Sequence, residues 1–147
     1  MKQTHFVAFF FSLITILSVE NLFAQKPENW TSKQLMQPGE LAEKISSQKD
    51  VPLIFSVGPG ATIPGSVDIG MGKEKENVDK LKKQLSTLPK DTKVVVYCGC
   101  CPFEHCPNVR PAIDVLKEMK FTNYYLLNLA HNLKTDWIDK GYPTAKP

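Results

Sequence analysis

Residues 93–110, KVVVYCGCCPFEHCPNVR, decide the fold. Lys93-Val-Val-Val-Tyr97 is continuous and β-branched, the composition of a buried strand in a parallel sheet. Downstream, Val109, Ala112, Ile113, Leu116 and Met119 recur at helical spacing. They predict a helix capped by Asn108 and running through Lys120, with Pro111 tolerated in its first turn. Between strand and helix lies a loop with every cysteine of the chain: Cys98, Cys100, Cys101 and Cys106.

The same alternation continues on both sides of this stretch. GELAEKISSQ (39–48) reads as a short helix with Leu41, Ala42 and Ile45 inward. The apolar run 52–57 is too short for a helix and is closed by Gly58-Pro59-Gly60, so it reads as a strand entering a turn. A brief strand, Val67 to Ile69, follows IPGS (63–66). A charged segment from about Lys73 to Leu88 places Val78, Leu81, Leu85 and Leu88 at helical spacing and ends at Pro89, which suits a solvated helix with one buried stripe. Toward the C-terminus come a strand, Tyr124 to Leu127, and a helix around Leu133 to Lys140 that presents Leu133 and Trp137 before Gly141. Strands alternating with helices predict an α/β domain of three layers around a central parallel sheet. Such sheets bind ligands beyond the C-terminal ends of their strands, where the cysteine loop falls.

At the N-terminus Lys2 precedes the apolar run FVAFFFSLITILSV (6–19) and the small-residue exit Leu22-Phe23-Ala24. That layout is expected of a cleaved signal peptide over residues 1–24, since the run is shorter than the ~20 residues of a spanning helix. The expectation is then an exported domain over residues 25–147, periplasmic or secreted, with no membrane association after cleavage. Eighteen basic and fifteen acidic residues are scattered without a basic stripe, so nucleic acid is not implied as a partner.

Any bridge among the four cysteines would close a loop of only a few residues and add little constraint to the unfolded chain. The cluster therefore reads as local chemistry, with several uses open. A thiol between a strand end and a helix N-terminus meets unpaired N–H groups and the positive end of the helix dipole, which favour the nucleophilic thiolate. Arg110, in the first helical turn, can add a fixed charge or stand at the surface. Cys98 to Cys101 is also a C-x-x-C pair, consistent with a redox dithiol served by a redox protein partner, although too little sheet follows for a thioredoxin-like topology. Cys98, Cys101, His105 and Cys106 offer a soft donor set for zinc or cuprous copper. A local disulfide such as Cys101 to Cys106 that merely stiffens the loop is the plainest alternative. His131 and Asn132 follow the last strand, where pocket, turn and capping roles all suit them.

The order of these pieces resembles the rhodanese-like sulfurtransferases. The likeness runs from GELAEKI and PLIFSV, through IPGS where that family has a His-Ile-Pro-Gly-Ala type turn, to VVVYC with a reactive Cys directly after the strand. It continues through VRPAIDVLKEMKF and ends in YYLLNLAHNLKTDWIDKGYP. The resemblance implies a Cys that takes up sulfane sulfur as a persulfide and passes it on, between a small sulfur donor and a thiol acceptor, with no cofactor. It implies Cys98, Cys106 and Arg110 as catalytic residues and Gly99, Cys100 and Cys101 as the substrate-binding loop. Matched from the strand, Cys98 is the nucleophile; matched from the helix, Cys106 stands nearer the right distance from Arg110. A strand end fixes position more firmly than a loop, which favours Cys98. The chain also departs from the family pattern. Phe55, Ser56, Val57 and Gly58 stand where Asp and Arg are common, Thr62 where the turn has His, and eleven residues separate Cys98 from Arg110 instead of a tight six-residue cradle.

Overall fold

In chain order the elements are β1 (Leu35–Met36), α1 (Pro38–Ser47), β2 (Leu53–Ser56), β3 (Ser66–Asp68), α2 (Lys75–Leu85), β4 (Val94–Tyr97), α3 (Val109–Glu118) and β5 (Tyr124–Leu127). The structure, a computed structural model, describes residues 30–146; the expected signal peptide lies outside the described residues. The five strands form one parallel sheet in the order β1-β5-β4-β2-β3. The valine run is its centre, with Val96 level with Phe55 on one side and Leu126 on the other.

Alternation along that central strand sorts the core into two halves. Val94 and Val96 face the layer made by α2 and α3, where Phe55, Leu81, Leu85, Ile113, Leu116 and Leu126 are buried. Val95 and Tyr97 face the opposite layer, with Ile54, Leu41, Leu127 and Trp137. Both faces are covered, which is why β4 carries no polar position. This is the three-layer α/β architecture expected.

Element bounds differ from the expectation by no more than three residues, with three informative exceptions. Leu35–Met36 forms an edge strand on β5 that the sequence pattern does not mark, because two residues leave no detectable period. The last helix is a single wide turn, Lys134–Ile138. Asn108 does not cap α3: its backbone is already helical and its side chain makes no capping bond. That side chain is used elsewhere.

The C-terminal segment seals the second face. Trp137 is fully buried, its ring Nε1–H donates to the Pro143 carbonyl at 2.7 Å, and Tyr142 meets it edge-on at 5.3 Å between centroids. The Ala145 amide then donates to the Thr62 carbonyl at 2.7 Å, tying the tail to the IPGS turn.

Candidate active site

β4 ends at Tyr97, so Cys98 is the first residue beyond the sheet, at its C-terminal edge and in its centre. The Val57 amide bonds the Tyr97 carbonyl at 2.9 Å, extending the ladder to the residue before the thiol. Cys98 is 3% exposed and Cys106 wholly buried, whereas Cys101 is half-buried and Cys100 exposed. The four thiols are free and form one cluster: Cys98 Sγ lies 3.3 Å from Cys100 Sγ, Cys100 Sγ 3.2 Å from Cys101 Sγ, and all four sulfurs within 4.8 Å of one another. Strand alignment and helix alignment therefore lead to the same place, since the loop folds Cys106 back onto Cys98.

The inserted loop has fixed supports. The Leu133 amide donates to the Gly99 carbonyl at 3.0 Å, and the Phe103 amide to the Leu129 carbonyl at 3.1 Å, so the stretch after β5 braces the loop at two points. Phe103 lies at 7% exposure within the α2/α3 half of the core. A short 3-10 turn, Phe103–His105, then returns the chain to Cys106, whose amide donates to the Phe103 carbonyl at 3.3 Å.

Cys98 is set up as the acid of the group. The Cys106 thiol beside it, with further donation from the Cys100 amide, the Asn108 side-chain amide and the Cys100 thiol, lowers its pKa to about 5 despite burial. Asn108 Nδ2 stands 3.5 Å from Cys98 Sγ, and Asn108 Oδ1 accepts from the Lys73 amide at 3.2 Å. The proton stays on the neighbours. Burial and then the Cys101 and Cys98 sulfurs push Cys100 up to about 12, while donation to Cys98 and burial push Cys106 strongly upward.

Two site residues carry little sequence signal. Gly58 lies two residues beyond β2, beside Cys98, and a Cβ there would stand 2.5 Å from Cys98 Sγ, so only glycine leaves the thiol its place. Asn108 reads as a cap because Asn favours caps, and nothing in the sequence marks a bond to a sulfur ten residues upstream.

The remaining candidates are placed as follows. Arg110 donates from its guanidinium to the Glu104 carbonyl at 2.9 Å, holding the insertion against α3. His105 is exposed in the 3-10 turn and is not part of the cluster; the fourth sulfur is Cys100. Asp136 receives the His131 and Asn132 amides at 2.6 and 3.2 Å, and Asn132 Oδ1 accepts from the Thr135 amide at 2.9 Å, which are turn and capping roles. Tyr97 does more than line the sheet: its hydroxyl accepts from the Ile63 amide at 3.3 Å and meets Ser66 Oγ at 3.2 Å, bracing the IPGS turn.

Solved structures place this arrangement among known folds. A full-length protein from Lactobacillus plantarum superposes with a TM-score of 0.57 at 15% identity, over 78% of this chain and 89% of its own. A rhodanese-related protein from Thermoplasma volcanium gives 0.51 at 17% identity, over 76% and 97%. A protein from Anabaena sp. gives 0.53 at 19% identity, over 75% and 90%. No family model and no curated protein sequence matches the chain. The described residues thus adopt a rhodanese-like α/β fold, with a four-cysteine cluster at the C-terminal edge of its sheet.

Proposed function

We propose that this domain transfers sulfane sulfur through a persulfide on Cys98. The observation that carries this reading is the placement of Cys98: anchored by the central strand and surrounded by the Cys106 and Cys100 thiols, the Cys100 amide and the Asn108 amide. A thiolate held there attacks the outer sulfur of a donor such as thiosulfate, forming the Cys98 persulfide and releasing sulfite. An acceptor thiolate then takes the outer sulfur and returns Cys98 to its thiolate. The same donors stabilise both anions, since neither step changes the net charge at the site. The leader-like N-terminus supports export of the domain, so its donors and acceptors would be met in a periplasmic or extracellular space, with a redox protein partner keeping the thiols reduced.

Intact-mass measurement tests this directly. Reduced protein exposed to thiosulfate should gain the mass of one sulfur atom, lost again on adding a thiol acceptor, and Cys98→Ser should gain none. Equal sulfur uptake by wild type and Cys98→Ser would sink the assignment. Cys106→Ser should still take up sulfur but release it with altered kinetics, because Cys106 supports the anion without forming the bond.

A further inference from the structure

The cluster contains more sulfur than one nucleophile needs. Every pair of the four Sγ atoms lies within 4.8 Å, and two pairs lie at 3.3 and 3.2 Å. An ion bound by thiolates at about 2.3 Å from each sulfur requires sulfur–sulfur edges of roughly 3.8 Å. The observed distances bracket that value, so side-chain rotation suffices to close the group around one ion. Backbone positions are already fixed, at Cys98 by the end of β4 and elsewhere by the Gly99–Leu133, Phe103–Leu129 and Cys106–Phe103 bonds. The donors are therefore preorganised, which limits the ordering entropy that metal binding costs.

The donor set selects the ion. All four ligands are sulfur, with the His105 ring outside the group and no carboxylate in it. Hard ions such as Mg²⁺ and Ca²⁺ want oxygen, while thiolate-only sets favour soft ions. We propose that Cys98, Cys100, Cys101 and Cys106 form an all-sulfur site for one cuprous ion, open to solvent on its Cys100 side. Zinc fits less well because it demands all four ligands at once at tetrahedral angles, and two of these four, Cys100 and Cys101, come from adjacent residues that share one short stretch of backbone. A cuprous ion is satisfied by two or three thiolates. The buried pair Cys98 and Cys106 forms the floor and either rim sulfur, Cys100 or Cys101, completes the set, leaving the other free to pass the ion to an incoming thiol. The site does not depend on sulfur transfer, although an ion on Cys98 would mask that thiol.

Anaerobic titration of the reduced chain tests it. Cuprous ion is offered in competition with a bicinchoninate chelator, and a parallel arm offers Zn²⁺ with a chromogenic indicator. One copper per chain should leave the chelator, with new near-ultraviolet sulfur-to-copper absorption, and equimolar Zn²⁺ should not displace it. Cys100→Ser and Cys101→Ser should each weaken binding modestly because one rim sulfur substitutes for the other. Together they should cost about a hundredfold or more, since even outer-shell losses at metal sites cost 10–100-fold. Both positions are at the rim, and circular dichroism of the double variant shows whether it keeps its fold. The proposal is overturned if protein with four titratable thiols withdraws no copper, if the folded double variant binds as wild type does, or if zinc displaces the copper. Sulfur uptake by mass on the metal-free sample reads the persulfide separately, so either result can fail alone.

Discussion

Gly58 gives Cys98 its room, and Cys106 gives it its acidity. A methyl at position 58 would come within 2.5 Å of Cys98 Sγ, so Gly58→Ala must push the sulfur from its donors or displace the end of β2. Overpacking of this kind costs about 1–3 kcal/mol. Urea unfolding of the reduced variant should show that loss, together with slower alkylation of Cys98. A pH profile separates acidity from access. In chelator-treated protein the alkylation rate at Cys98, localised by peptide mass spectrometry, should rise with pH through an inflection near 5 and then flatten, because only the thiolate reacts and the folded pKa is about 5 rather than 9.0. Cys106→Ala removes the largest lowering contribution, so its inflection should move upward toward 9.0. A wild-type rate that climbs only around pH 9 would contradict this picture. The position of Cys98 was legible in the sequence because a valine run fixes where the strand ends. Gly58 and Asn108 were not, since each acts through a neighbour brought near only by the parallel β2–β4 pairing or by the loop's return.

The unit formed by β4, the cysteine loop and α3 explains how an eleven-residue insertion can coexist with a defined site. Long loops lose definition unless something anchors them, and here Phe103 does so by inserting its ring into the core between the sheet and α3. Nothing in the residues around Phe103 marks this role. A Phe flanked by Pro102 and Glu104 has no periodicity, and the insertion was visible only as a departure from a tight cradle. Phe103→Ala should therefore loosen the loop more than the domain. The substitution removes a side chain that is 93% covered, so the stability loss belongs at the lower end of the 3–5 kcal/mol typical of buried Phe→Ala changes, about 3 kcal/mol. Its specific signature should be rapid labelling of Cys106 under native conditions, faster than global unfolding allows. If Cys106 labelling in the variant only tracks global stability, Phe103 is an ordinary core residue and the anchor lies elsewhere. The neighbouring elements show where sequence reading succeeds: α2 and β5 lie where periodicity and composition put them, whereas β1, two residues long, depends entirely on pairing with β5.

Across the whole molecule one sheet separates two cores, and the site belongs to both. Cys98, Cys106 and Phe103 lie in the α2/α3 half, while Leu133 and Leu129, whose backbones brace the cysteine loop, lie in the half sealed by Trp137. The central valines alternate between these halves residue by residue, so neither half can lose its packing without exposing one face of β4. The domain should accordingly unfold as one cooperative unit, as most single domains of this size do. Trp30→Phe leaves Trp137 as the sole tryptophan and makes its fluorescence a reporter of one half, while Cys106 labelling reports the other. In urea the two probes should give coincident midpoints in the reduced protein. Leu41→Ala, a fully buried change in the Trp137 half that leaves both probes in place, should shift both by the same amount, corresponding to about 2–5 kcal/mol. A variant in which Cys106 labels at a clearly different urea concentration from the loss of secondary structure would show that the halves unfold separately. The loop's attachment to Leu129 and Leu133 would then have to be weaker than the hydrogen bonds imply. Cooperativity also bears on chemistry, because a site braced from both cores keeps Cys98 and Cys106 together for as long as the domain is folded.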